Sequence, residues 1–103
     1  SQIVPKTAIV ETETGQVEIP IEQIAIGAIV VVRPGDRVPA DGVIVSGTSS
    51  VDESALTGES IPRSKTEGDI VLAGSINAEA VLRVRVDQPA QDNLIARVVR
   101  LVE

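Results

Sequence analysis

A mainly β fold is what the 103-residue sequence predicts: a small, distorted jelly-roll or β-sandwich-like domain with one C-terminal helix. Three observations carry this. Isoleucine and valine dominate the apolar residues and leucine is scarce, and β-branched side chains suit a pleated, half-buried surface. The apolar runs are short and punctuated by glycine and proline. Only beyond Pro89 does the apolar spacing become that of a helix.

The elements follow in order. Ala8-Ile9-Val10-Glu11 and Val17-Glu18-Ile19 flank a polar stretch from Thr12 to Gln16 that contains Gly15, which predicts a hairpin. Pro20 to Ile24 reads as a short helical turn or loop. Ile29-Val30-Val31-Val32-Arg33 is a continuous apolar run, a buried strand, and Pro34-Gly35-Asp36 ends it. Gly42-Val43-Ile44-Val45-Ser46 is the next strand, and the small polar residues from Gly47 to Ser50 read as a turn. Asp52 to Leu56 has room for one helical turn, after which Thr57-Gly58-Glu59-Ser60 reads as an exposed loop. Ile61-Pro62 restarts extended chain, since a residue before proline avoids the α region. Ile70 to Leu72 and Ser75-Ile76-Asn77 are short strands. In the run from Val81 to Val86, Val84 and Val86 alternate with Arg83 and Arg85, so one face is buried and the arginine face is wet. Asp92 or Asn93 then caps a helix that places Leu94, Ile95, Val98, Val99 and Val102 on one side and Arg97 and Arg100 opposite.

The length fits one compact domain over residues 1–103. At 43% hydrophobic residues, the core is expected to be self-sufficient. A circular-dichroism melt without a cooperative transition would count against that. A net charge of −6 repels phosphate backbones, and the absence of aromatic residues removes the stacking platforms of single-strand binders. Nucleic acid is therefore not an expected partner. Histidine, cysteine and methionine are all missing, which rules out a soft or imidazole metal site in this chain. No apolar run approaches the roughly 20 residues that span a bilayer, so the chain is expected to be soluble.

Two segments stand apart from this β background. One is Pro34-Gly35-Asp36-Arg37-Val38-Pro39-Ala40-Asp41-Gly42. The other is Val51-Asp52-Glu53-Ser54-Ala55-Leu56-Thr57-Gly58-Glu59-Ser60-Ile61-Pro62, with Lys65 after it. Gly68-Asp69 and Ala73-Gly74-Ser75-Ile76-Asn77 continue the pattern. Thr-Gly-Glu-Ser alone recurs by chance, but two long segments in this order and spacing do not. Over roughly residues 17–103 the chain resembles the actuator domain of P-type ATPases. The compact layout, Val51-Asp52-Glu53-Ser54 and Ala73-Gly74-Ser75-Ile76-Asn77 are most similar to the heavy-metal (type IB) pumps, with the bacterial potassium pump as the other class. Copper pumps often carry proline after the loop glutamate. Ser60 here tilts the expectation towards zinc, cadmium, cobalt or lead, with copper left open.

The resemblance implies a cytoplasmic portion of a membrane pump that uses ATP and magnesium and transports a metal cation. It implies no cofactor in this fragment. Partners would be the phosphorylation and nucleotide-binding domains and the transmembrane helices of the same pump. The phosphorylation motif Asp-Lys-Thr-Gly is absent, so the fragment alone is expected to be inactive. By similarity, Thr57, Gly58, Glu59 and Ser60 are the catalytic loop, with Glu59 activating the water that hydrolyses an aspartyl phosphate on another domain. The residue types suit that chemistry. A carboxylate can orient a water and take its proton, glycine lets backbone approach a phosphate, and hydroxyls donate to phosphoryl oxygens.

Blander readings stand beside these. A lone Glu59 is ordinarily a solvated loop carboxylate. Pro39 and Asp41 read as structural. Asp52, Glu53 and Glu59 lack the alternating oxygen ligands of a calcium loop. Arg63 and Lys65 read as a solvated face, with contact to an acidic partner domain as the other possibility. The competing function is a non-catalytic β-rich docking module. An open reading frame with apolar spans on both sides and a downstream Asp-Lys-Thr-Gly separates the two.

Overall fold

The computed structural model describes residues 4–89, and the expected helix with Leu94, Ile95, Val98, Val99 and Val102 lies outside them. Nine strands are described: β1 (Thr7–Thr12), β2 (Gly15–Pro20), β3 (Ile29–Val32), β4 (Gly42–Ser46), β5 (Ser49–Asp52), β6 (Arg63–Lys65), β7 (Ile70–Val71), β8 (Ile76–Asn77) and β9 (Leu82–Val86). A 3-10 turn at Ile21–Gln23 follows β2, and one helical turn, α1 (Ser54–Thr57), follows β5. The strands form two antiparallel sheets, ordered β2-β1-β3-β9-β4-β7 and β6-β5-β8. The expected β-sandwich-like architecture is present.

Register explains the core. Val30 and Ile44 both lie opposite Val84, Leu82 opposite Val32, and Gly42 between Val71 and Val86. Side chains alternate faces along a strand, so these residues share one face of the large sheet. Val38, Ala40 and Val51 join them in one cluster, and all are buried. Each fully buried valine or leucine contributes about 1.5–3 kcal/mol.

Two expectations need correction. The residues from Gly47 to Ser50 are not simply a turn, because Ser49 and Ser50 already belong to β5. Ser49 is buried, and its hydroxyl oxygen accepts the N–H groups of Glu79 and Ala80, so a polar residue fills a core position with its hydrogen bonds met. The hairpin tip is also tighter than expected, since Thr12 and Gly15 are already paired.

The crossing between sheets has a local cause. The register of β4 on β9 shifts between Ile44 and Ser46, and such a bulge bends its strand. Gly47 follows with φ 107°, where a Cβ would lie 2.4 Å from the Val81 carbonyl oxygen. The chain thereby leaves the large sheet and enters β5.

Buried polar groups pin the loops of the first motif. Asp41 is buried, and its carboxylate accepts the Ala73 N–H at 2.8 Å, in keeping with a structural role. The Asn77 side chain donates to the carbonyls of Val32 and Ala80. Arg37 donates to the Gly74 carbonyl at 2.7 Å. Asn77 and Ile76 also pair with Val51 and Asp52, so the two motifs and the Ala73-to-Asn77 segment meet in space.

Arg83 is more than the wet side of a strand. Its guanidinium grips the Glu11 carboxylate with two nitrogens, Nε at 3.0 Å, from a strand two places away. The Arg83 hydrogen bond holds the Glu11 carboxyl below its ordinary range. A carboxyl lowered in the folded state adds stability above its unfolded value of about 4. That stability is lost as pH falls through the folded value. Glu11→Gln is therefore expected to lower the melting temperature at neutral pH. The gap to wild type should close as pH falls through the folded value. Thermal melts at neutral and at acid pH check this, and an equal gap at both would contradict it.

Candidate functional site

The loop predicted to carry function grows from the end of β5. Val51 is buried and anchors that strand. Asp52 then turns the chain, its Oδ1 accepting the Ser54 N–H at 2.9 Å. The hydrogen bonds from Ser54, with Arg37 nearby, hold the Asp52 carboxyl below its ordinary range. A short acceptor side chain bonded two residues on is a standard way to start a turn. One turn of helix forms as the Glu53 carbonyl accepts the N–H groups of Leu56 and Thr57 at 2.9 and 3.0 Å. It ends at Gly58, whose N–H reaches the Ser54 carbonyl at 2.9 Å with φ 78°. Glycine suits that left-handed cap.

Thr57 links the helical turn to the loop. Its Oγ1 donates to the Glu53 carbonyl and accepts the Glu59 N–H, both at 3.1 Å. The Glu59 backbone is thus fixed while its side chain projects outward. Thr57, Gly58, Glu59 and Ser60 are all exposed, and so are Ile61 and Pro62. Ile61 is 78% exposed, a large apolar side chain beside the loop crown. Among the described residues, no side chain pairs with the Glu59 carboxylate.

A cβ on Gly58 would meet nothing within 4 Å, so only backbone strain opposes a side chain there. Gly58→Ala is expected to cost about 1–2 kcal/mol. The urea unfolding midpoint measures this, and an unchanged midpoint would mean the left-handed cap is dispensable.

The base of the loop holds a residue that sequence reading left without a role. The Glu53 side chain is 12% exposed and lies between two cations of β6. Arg63 Nε is 3.5 Å from one carboxylate oxygen and Lys65 Nζ is 3.4 Å from the other. Arg63 and Lys65 are therefore engaged within the chain. The signal was present in the sequence as a glutamate just before the helical turn and two cations, spaced by two, just after the loop.

No group of three or more histidine, cysteine or carboxylate side chains lies together among the described residues. Asp52, Glu53 and Glu59 are accordingly not brought together as such a group. A cleft of about 240 Å³ opens elsewhere, between Thr7, Ile9, Glu18, Val31, Arg33 and Pro39, and the 57–60 loop does not line it. No helix among the described residues is long and apolar enough to cross a membrane.

The geometry defines a class: a β-rich scaffold that presents an exposed loop carrying the Glu59 carboxylate. Comparison with known proteins then gives the family. The family model for the P-type ATPase actuator domain matches residues 2–103, and the chain belongs to that family. It is 44% identical over 98 residues to a probable copper-exporting P-type ATPase of Archaeoglobus fulgidus, covering 95% of this chain and 12% of that protein. It is 40% identical over 101 residues to a probable cadmium-transporting ATPase of Staphylococcus aureus, covering 98% of this chain and 13% of that protein. A zinc-transporting ATPase of Bacillus subtilis is 41% identical over 102 residues, covering 99% of this chain and 16% of that protein. The fold superposes on the crystal structure of a zinc-transporting PIB-type ATPase in its E2.Pi state with a TM-score of 0.90, at 35% identity. That match covers 97% of this chain and 17% of the solved one. The chain thus spans less than a fifth of the length of these relatives.

Proposed function

We propose that this chain is the actuator domain of a heavy-metal cation pump, and that its 57–60 loop hydrolyses the pump's aspartyl phosphate. The observation that carries the reading is the loop's construction. The backbone of Glu59 is held from below by Thr57, while its carboxylate is exposed and unclaimed by any described side chain. A group built to act on another domain has that form.

In the proposed step, a water attacks phosphorus in line and the bond from phosphorus to the aspartyl oxygen breaks. Glu59 orients the water and accepts its proton. Thr57 and Ser60 place hydroxyls beside the phosphoryl oxygens, and Gly58 lets backbone come close. ATP and magnesium would be held by the pump's phosphorylation and nucleotide-binding domains. The domain sits on the cytoplasmic side and pulls on the transmembrane helices as it moves, which couples hydrolysis to transport.

Heavy metals as the cargo class are supported by the copper, cadmium and zinc pumps among the relatives. Copper and cadmium pumps stand at similar identity, so overall identity does not sort one metal from another, and the ion is chosen by transmembrane ligands outside this chain. The test is metal-stimulated phosphate release by the full-length parent carrying Glu59→Ala. Release should collapse while the phosphorylated form accumulates. Release at the wild-type rate would leave the loop as a docking element only, a role that the exposed Ile61 would serve equally well.

A further inference from the structure

The loop that carries Glu59 enters from β5 and leaves through β6, whose residues are paired: Val51 with Arg63 and Ser49 with Lys65. Glu53 touches both stems. Its main-chain carbonyl accepts the N–H and the hydroxyl of Thr57, and the same hydroxyl oxygen receives the Glu59 N–H. Its side chain meets the opposite stem, one carboxylate oxygen for each cation of β6. Arg63 and Lys65 are two apart and so face the same side of their strand. A single glutamate, nearly withdrawn from solvent, therefore connects the exit strand to the backbone of Glu59 through one intervening residue.

We propose that Glu53 is a positioning residue for the hydrolytic step: it clamps the two stems of the loop and thereby fixes where the Glu59 carboxylate meets the phosphoryl group. This rests on the catalytic reading of the loop given above. Glu53 does not touch substrate itself, since both its oxygens are engaged and its side chain is only 12% exposed. Its effect runs through geometry. Reacting groups held about 1 Å from their best position lose up to about a hundredfold in rate. An ion pair without such a role acts on stability and leaves the chemical step alone.

The test is decay of the phosphorylated intermediate in the full-length parent, with Glu59→Ala measured in parallel. Glu53→Gln keeps the side-chain shape and removes the charge. It is expected to form phosphoenzyme to the wild-type level and lose its phosphate about tenfold more slowly. Lys65→Gln removes one partner and should slow decay in the same direction, which keeps the test open if Glu53→Gln is poorly produced. Lys65→Arg should decay like wild type. The charge exchange Glu53→Lys with Lys65→Glu should return decay to within about threefold of wild type, while either half alone remains slow. A purely structural Glu53 would lower the melting temperature and the phosphoenzyme level together. Normal decay in both Glu53→Gln and Lys65→Gln, beside slow decay in Glu59→Ala, overturns the clamp and leaves the loop assignment standing. Normal decay in Glu59→Ala overturns both.

Discussion

Replacing Glu59 by alanine is expected to slow hydrolysis of the phosphorylated parent by about 10²–10⁴-fold, the usual contribution of a general base. The size follows from the site's construction. The described chain offers no second carboxylate beside the 57–60 loop, because Glu53 is held by Arg63 and Lys65 and Asp52 by Ser54. Nothing nearby is therefore placed to take over. The substitution removes an exposed side chain whose backbone N–H remains bonded to Thr57, so the fold should be untouched. Glu59→Gln separates the two parts of the role. An amide can still orient a water but accepts no proton. Its rate should fall near that of alanine if proton transfer dominates, and near wild type if orientation does.

A large loss of stability is expected at Gly47, where Gly47→Ala should cost about 2–6 kcal/mol. Two penalties add there. The backbone sits at φ 107°, which a side chain rarely adopts, and the new Cβ would lie 2.4 Å from the Val81 carbonyl oxygen and 3.1 Å from Leu82. The clash is with backbone on one side and a fully buried leucine on the other, so neither yields cheaply. Against a typical total of about 5–15 kcal/mol, this approaches loss of the fold. Denaturant unfolding of the variant measures it. Gly58→Ala, also at positive φ but with no clash, is the internal control. Equal losses at the two sites would mean that the crossing between sheets is not held as the Val81 contact implies.

Local patterns made much of this molecule readable. The apolar run from Ile29 to Val32 and the alternation through Val84 and Val86 encode burial directly, and both lie in the large sheet. The strand Gly42–Ser46 was bounded by its own punctuation. The exposure of Thr57, Gly58, Glu59 and Ser60 was legible because short polar residues follow one helical turn. What escaped depends on distant partners. Ser49 and Ser50 look like a turn until β6 and β8 flank them and the Ser49 hydroxyl meets Glu79 and Ala80. Arg83 looks solvated until β1 brings Glu11 across β3. Glu53 looks like any charged residue near a helix start until β6 folds back alongside β5. Each is a polar side chain whose role is set by a non-local pairing, which neither periodicity nor propensity records.

Single-turnover decay of the phosphoenzyme tests the central claim most directly. The full-length parent would be phosphorylated with labelled ATP, chased with unlabelled ATP, and sampled over time for wild type and Glu59→Ala. The account predicts equal labelling at the start and decay at least a hundredfold slower in the variant. Equal labelling followed by equal decay would contradict it, and would make the 57–60 loop a contact surface with no part in the chemistry.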